Sequence, residues 1–190
     1  MASFENRIVE LFEKIHPLDR VSRAGFVLRG VAEPESVSAH SHFISVLTLL
    51  VVEEAPDQFD KGKALALALT HDLAESQMMD IPMPVADAHL KEAKNEAELS
   101  ITGELLDGFD TSYRAYLEEF NNASSPEAKL IRGLDKVQMM LKIVNYEREH
   151  RGNLEEFWKN PNNFNDFGIK IVSRLFDAIC THADRDRPTG

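Results

Sequence analysis

Two segments constrain this chain more than any others, because both are built for burial and both carry ionisable residues. The first, "SVSAHSHFISVLTLLVVEEA", is apolar nearly all round as far as Val52, the pattern of a central helix, with Ser38 as its expected N-cap. The second, "KALALALTHDLAES", alternates like a strand. Alanine and leucine are nevertheless strong helix formers and β-branched residues are absent from the Ala/Leu run, so it is predicted as a helix. Burying an unpaired ionisable group is costly, and His40, His71, Asp72 and Glu75 all need compensation.

The rest of the chain keeps the helical period. Ile8, Leu11, Phe12 and Ile15 share one helix face until His16-Pro17 stops it. Pro82 and Pro84 make "MDIPMPV" irregular, since each pushes the preceding residue out of helical geometry. Helices are predicted in "AHLKEAKNEAELSITGELL", "TSYRAYLEEFNN" and "FGIKIVSRLFDAICTH". The long segment "SSPEAKLIRGLDKVQMMLKIVNYEREH" opens with serine caps and a proline in its first turn. With no internal repeat or linker, the prediction is an all-α domain over 1–183, a compact bundle of about seven helices. The polar tail, 184–190, is expected to be disordered.

A formal charge of −11 argues against binding a nucleic-acid polymer, which needs a basic stripe. It leaves room for a small phosphorylated ligand held by one or two arginines or a cation. No apolar run reaches the about 18 residues of a membrane span, and "MASFENRIVE" lacks the apolar core of a signal peptide, so a cytoplasmic protein is expected. A single cysteine, Cys180, excludes an internal disulfide framework and a cysteine-rich zinc site.

Helical spacing puts His40 on a face with Phe43, Ile44 and Leu47, and His42 about 200° away. His71 and Asp72 emerge from the Ala/Leu helix. Asp135 has Ile131 and Met139 one turn to either side, and Lys136 is expected to point elsewhere. Each of these could be satisfied separately, by a carbonyl or an arginine. Together, inward acids and imidazoles on consecutive helices repel or desolvate one another without a shared cation. Two imidazoles with two carboxylates form a mixed nitrogen–oxygen set suited to manganese, cobalt, iron, nickel or zinc rather than calcium. His16, His89, His150 and His182 read as surface residues.

The order His, His-Asp, distant Asp resembles the HD-domain metal phosphohydrolase superfamily. The flanking stretches "RAGFVLRGVAEPESVSAHSH", "LALTHDLAESQMMDIP", "KNEAELSI" and "SSPEAKLIRGLDKVQMMLKIVNYE" resemble its 5'-deoxynucleotidase family, over roughly residues 5 to 180. The resemblance implies an all-α, usually homodimeric enzyme that uses one divalent ion to remove phosphate from deoxynucleoside 5'-monophosphates. It matches His40, His71, Asp72 and Asp135 to metal ligands, Glu75 to a catalytic glutamate and Asp80 to a catalytic and substrate-pocket aspartate. Arg23 falls where the family binds phosphate, and Phe26 where it often has a tryptophan beside the sugar. Glu96 matches a recurrent glutamate that supports the site or an ion pair. Met79 precedes Asp80 where glycine is usual. The alternatives are a hydrolase of another phosphate ester, such as a nucleoside triphosphate or cyclic nucleotide, and a non-catalytic helical module that binds a metal or nucleotide.

Overall fold

The computed structural model describes residues 2–82, 85, 89–109 and 112–188, and among these it is all-α. Met83 and Pro84 of the predicted irregular segment lie outside the described residues; Asp80 to Pro82 are irregular, as their sequence requires. Helix α1 (Phe4–Ile15) is capped by Ser3 and gives way at His16 to a 3₁₀ turn (His16–Asp19), because Pro17 cannot continue the ladder. A short α2 (Ala24–Val27) precedes α3 (Val37–Glu54), α4 (Lys61–Thr70) and the single turn α5 (Glu75–Met78). Then come α6 (Lys91–Leu105), α7 (Ser112–Asn122), α8 (Pro126–Arg148), α9 (Glu155–Lys159) and α10 (Lys170–Ala183). Seven of these have ten residues or more among the described residues.

Among the described residues, the other side-chain N-caps of the α-helices follow the same chemistry as Ser3. Ser125 accepts from the Ala128 N–H ahead of Pro126, and Asp60 accepts from the Lys63 N–H. Helix α3 is capped by Ser36 instead of Ser38, which already lies in its first turn; the Ser36 hydroxyl accepts from the Ala39 N–H.

Helices α3, α4 and α8 pack on one another, with α7 against α4 and α8, α6 against α7, and α10 on the far side of α8. The most enclosed helix is α8, which buries Leu130, Ile131, Leu134, Val137, Met140 and Ile143. Its approach to α10 is close: a Cβ at Gly133 would lie 2.9 Å from Val172 Cγ1. The expectation that α3 is enclosed on all sides is corrected. Its inner stripe is Val37, His40, Ile44, Thr48, Val51 and Val52, while Phe43, Val46 and Leu50 face outward because no helix among the described residues covers that side. Phe43, expected to share the His40 face, is 47% exposed.

An isolated antiparallel bridge joins Ser22 to Ser36, flanked by Arg23 N–H to Glu35 carbonyl (3.1 Å) and Val37 N–H to Val21 carbonyl (2.8 Å). This bridge ties the approach to α2 to the start of α3, and so holds Arg23 over the end of α3 that bears His40. In the tail expected to be disordered, Arg187 reaches Asp177 and the Phe164 carbonyl, and Arg185 reaches Glu155.

Candidate metal centre and active site

His40, on the inner stripe of α3, is fully buried. His71 is the C-cap of α4, and Asp72 opens the turn that leads into α5. One ligand atom from each of these three lies within 4.8 Å of the others. Asp135 projects from α8 with its Oδ1 3.1 Å from His40 Nε2. Asp72 Oδ2 is 3.6 Å from His40 Nε2 and 3.3 Å from His71 Nε2. Ligand atoms about 2.1 Å from a common ion stand roughly 3.0–3.4 Å apart at octahedral or tetrahedral angles. The spacing of His40, His71 and Asp72 suits one ion, and Asp135 stands beside His40.

The protonation pattern points the same way. His71 Nδ1 lies 3.1 Å from the Ala68 carbonyl, which can only accept, so a hydrogen sits on Nδ1 and the neutral ring leaves Nε2 bare. His40 Nδ1 faces Gln138 Oε1 at 2.7 Å, again an acceptor. His40 Nε2, His71 Nε2 and Asp72 Oδ2 are all buried without a hydrogen-bond partner among the described residues. Facing lone pairs with nothing between them are unfavourable, and a cation removes the conflict. These residues fit a divalent ion.

A guanidinium adds positive charge beside the same acids. Arg23 Nη1 is 3.7 Å from Asp72 Oδ2, and Nη2 is 3.5 Å from Asp135 Oδ1. Burial alone would push the Asp72 carboxyl up, but the His71 and His40 imidazoles and Arg23 hold it well below the usual carboxylate range. For Asp135, too, burial is outweighed, here by His40 and Arg23. Burial would lower His71, yet Asp72 and Asp135 pull it up. The acids attract whatever positive charge is available.

Above this cluster opens a cavity of about 640 Å³, within the range of small-molecule sites. Its walls include Arg23, Phe26, Glu75, Asp80, Lys94 and Phe120. Glu75, the first residue of α5, is 2% exposed and its Oε2 has no partner among the described residues. Burial, and then the charges of Asp72 and Asp80, push its carboxyl well up, against Arg23 and Lys94. Asp80 Oδ2 accepts from the Ala24 N–H at 2.6 Å, so it pins the loop after α5 to the residue following Arg23. Phe26 lines the cavity but is 2% exposed, wedged between Tyr146 and Phe157 at ring separations of 5.2 and 5.7 Å. Met79 has φ 68° and ψ 165°, a conformation that glycine adopts freely.

His42 is exposed, as are His16, His89, His150 and His182. Two sequence expectations are corrected. Lys136 is buried and lines the same cavity, because the cavity wraps around α8 beyond the Asp135 face. Glu96 is exposed, and it is Glu98 that lies buried at the cavity, with Lys94 Nζ 2.5 Å away. That Lys94–Glu98 pair, spaced i,i+4, was legible in the sequence.

Comparison with known proteins now gives this geometry its family. The model of the HD domain matches residues 15–166.

The chain belongs to the HD-domain family.

The 5'-deoxynucleotidase HDDC2 of Danio rerio is 34% identical over 157 residues, covering 80% of this chain and 77% of that protein. Its human counterpart is 33% identical, covering 80% and 74%. Among solved structures, a conserved hypothetical protein of Pyrococcus furiosus is 30% identical with a TM-score of 0.75, covering 93% of this chain and 98% of its own. A predicted metal-dependent phosphohydrolase of Magnetospirillum magnetotacticum has a TM-score of 0.70 at 19% identity, covering 97% and 96%, which shows the shared fold alone. This HD-domain chain is therefore a hydrolase, and the non-catalytic alternative is set aside. No helix among the described residues is long and apolar enough to cross a membrane.

Proposed function

We propose that this HD-domain hydrolase removes the 5'-phosphate from deoxynucleoside 5'-monophosphates. One divalent ion would be held by His40, His71, Asp72 and Asp135, drawn from manganese, cobalt, iron, nickel or zinc. The observation that carries the reading is the cluster of bare acceptors, His40 Nε2, His71 Nε2 and Asp72 Oδ2, beside Arg23 at a cavity of nucleotide size. The 5'-deoxynucleotidase relatives support the substrate class.

When bound, the ion supplies a Lewis acid that lowers the pKa of water and offsets phosphate charge. Arg23 lies too far from Asp72 and Asp135 for strong hydrogen bonds, so its donors remain available to phosphate oxygens. Glu75, its carboxyl pushed up by burial and by Asp72 and Asp80, lines the cavity where it can pass a proton to the leaving 5'-oxygen. Asp80 has Oδ2 engaged by Ala24, and Oδ1 remains to accept from a sugar hydroxyl or the attacking water. The walls of the cavity hold the nucleoside and limit access of bulk water. Cys180 plays no part, being buried at the last helix.

The reading includes a cytoplasmic homodimer, supported by the outward stripe Phe43, Val46 and Leu50 on α3; light scattering on the eluted protein tests the oligomer. The function itself is tested by phosphate release from deoxy- and ribonucleoside monophosphates, triphosphates and cyclic nucleotides, with and without manganese or cobalt. Metal-stimulated release from deoxynucleoside monophosphates is expected. Preferential turnover of triphosphates or cyclic nucleotides would transfer the site to another phosphate ester.

A further inference from the structure

On the side away from Asp72 and Asp135, the hydrogen-bond partner of His40 is neither a carbonyl of the main chain nor a carboxylate but a side-chain amide. Its Nδ1 faces Gln138 Oε1 at 2.7 Å, and Gln138 Nε2 donates to both oxygens of Glu35 at 3.1 and 2.9 Å. Gln138 is buried on α8, one turn beyond Asp135, and the Glu35 side chain is only 2% exposed. Glu35 is in turn tied down at both ends. Its N–H donates to the Tyr146 hydroxyl at 2.8 Å, and its carboxylate lies 3.4 Å from Lys142 Nζ.

The chemistry of these groups leaves one orientation for the amide. An ionised carboxylate only accepts, so the Gln138 NH₂ must face Glu35 and the Gln138 oxygen must face His40. An oxygen at 2.7 Å from Nδ1 then requires the imidazole hydrogen on Nδ1. In the neutral ring Nε2 is left bare, directed at Asp72 and Asp135. We propose that Gln138, oriented by the buried Glu35 carboxylate, which Lys142 in turn holds, is a positioning residue that fixes the His40 tautomer and ring for binding a divalent cation. The inference rests on the reading of His40 as a metal ligand.

The arrangement also explains a buried acid that the reaction does not use. Glu35 lies on the opposite side of His40 from the cavity and is not among the residues lining it. Its negative charge reaches the imidazole through an amide, which strengthens Nε2 as a donor while keeping the carboxylate itself out of the ligand set.

The test uses metal-stripped full-length protein titrated with Co²⁺ alone, followed by calorimetry and by the visible absorption of the bound ion. Gln138→Leu removes the acceptor at Nδ1 and is expected to weaken Co²⁺ binding about 10- to 100-fold and alter the absorption. Gln138→Glu alone sets two carboxylates against each other and should also weaken binding. Combining it with Glu35→Gln restores an acid–amide pair in reverse order, with a carboxylate on His40, and should recover the affinity. Wild-type affinity in Gln138→Leu overturns the inference. If that variant does not fold, lack of recovery in the reversed pair overturns it instead. His40→Ala separates the two levels. Wild-type affinity there sinks the metal-site reading itself, whereas loss there with unchanged affinity in Gln138→Leu sinks only the role of Gln138.

Discussion

The Ala24 N–H donates to Asp80 Oδ2 at 2.6 Å, which locks the segment carrying Arg23 to the loop that follows Glu75. Two parts of the site far apart in sequence are thereby set by one hydrogen bond. A hydrogen bond to a charged group contributes about 1.5–3 kcal/mol, so Asp80→Ala should lower kcat/KM by roughly 10- to 150-fold. Asp80→Asn keeps an acceptor oxygen and should lose less. Equal losses in the two variants would mean that charge, and not the link to Ala24, is what matters.

The ligand assignment predicts that His40→Ala, His71→Ala, Asp72→Ala and Asp135→Ala each lose the ion and activity together. His42→Ala, with its ring exposed beside Phe43, should keep both. Elemental analysis of purified variants decides it. Full occupancy in Asp135→Ala would remove that residue from the set and leave the closer trio of His40, His71 and Asp72.

Glu75 should serve the chemical step. Glu75→Gln is expected to reduce kcat by about 100-fold or more while KM changes little. Its stability effect has a definite sign in metal-free protein. A carboxyl raised from its ordinary 4.5 contributes stability below that value and loses it as pH rises through the folded pKa. The wild type should therefore lose stability relative to Glu75→Gln as pH rises from about 4.5 towards neutrality and above. Parallel melting curves for the two proteins across that range would remove the burial argument.

Met79 carries a backbone conformation costing about 1–3 kcal/mol for a side chain with a Cβ. Met79→Gly relieves that strain at an entropic cost of roughly 0.5–1 kcal/mol, for a net gain near 1 kcal/mol. A melting temperature higher by about 2–4 °C is expected. An unchanged or lower value would show that the side chain repays the strain elsewhere.

Phe26→Trp tests the sugar preference. Phe26 is packed between Tyr146 and Phe157, so the larger ring should cost about 1–3 kcal/mol of stability. If its edge reaches the sugar, the ratio of kcat/KM for deoxy over ribo substrates should rise by roughly 10- to 200-fold. A ratio equal to that of the wild type means that residue 26 does not read the 2'-position.

The helices themselves were determined locally. The Ala/Leu run, the serine caps and the prolines act within one or two turns, and 3.6-residue periodicity alone separates His40 from His42. His71 and Asp72 were marked by ending an apolar run, where an ionisable pair must be compensated. What the tertiary structure decided were relations between elements. Whether Phe43 faces in or out depends on which helices cover α3, and whether Lys136 reaches the cavity depends on how far that cavity wraps around α8. Gln138 could have been suspected from its position one turn after Asp135 on the same helix. Glu35, in the loop before α3, could not. No periodicity operates there, and its place behind His40 is set by the Ser22–Ser36 bridge and the packing of α8.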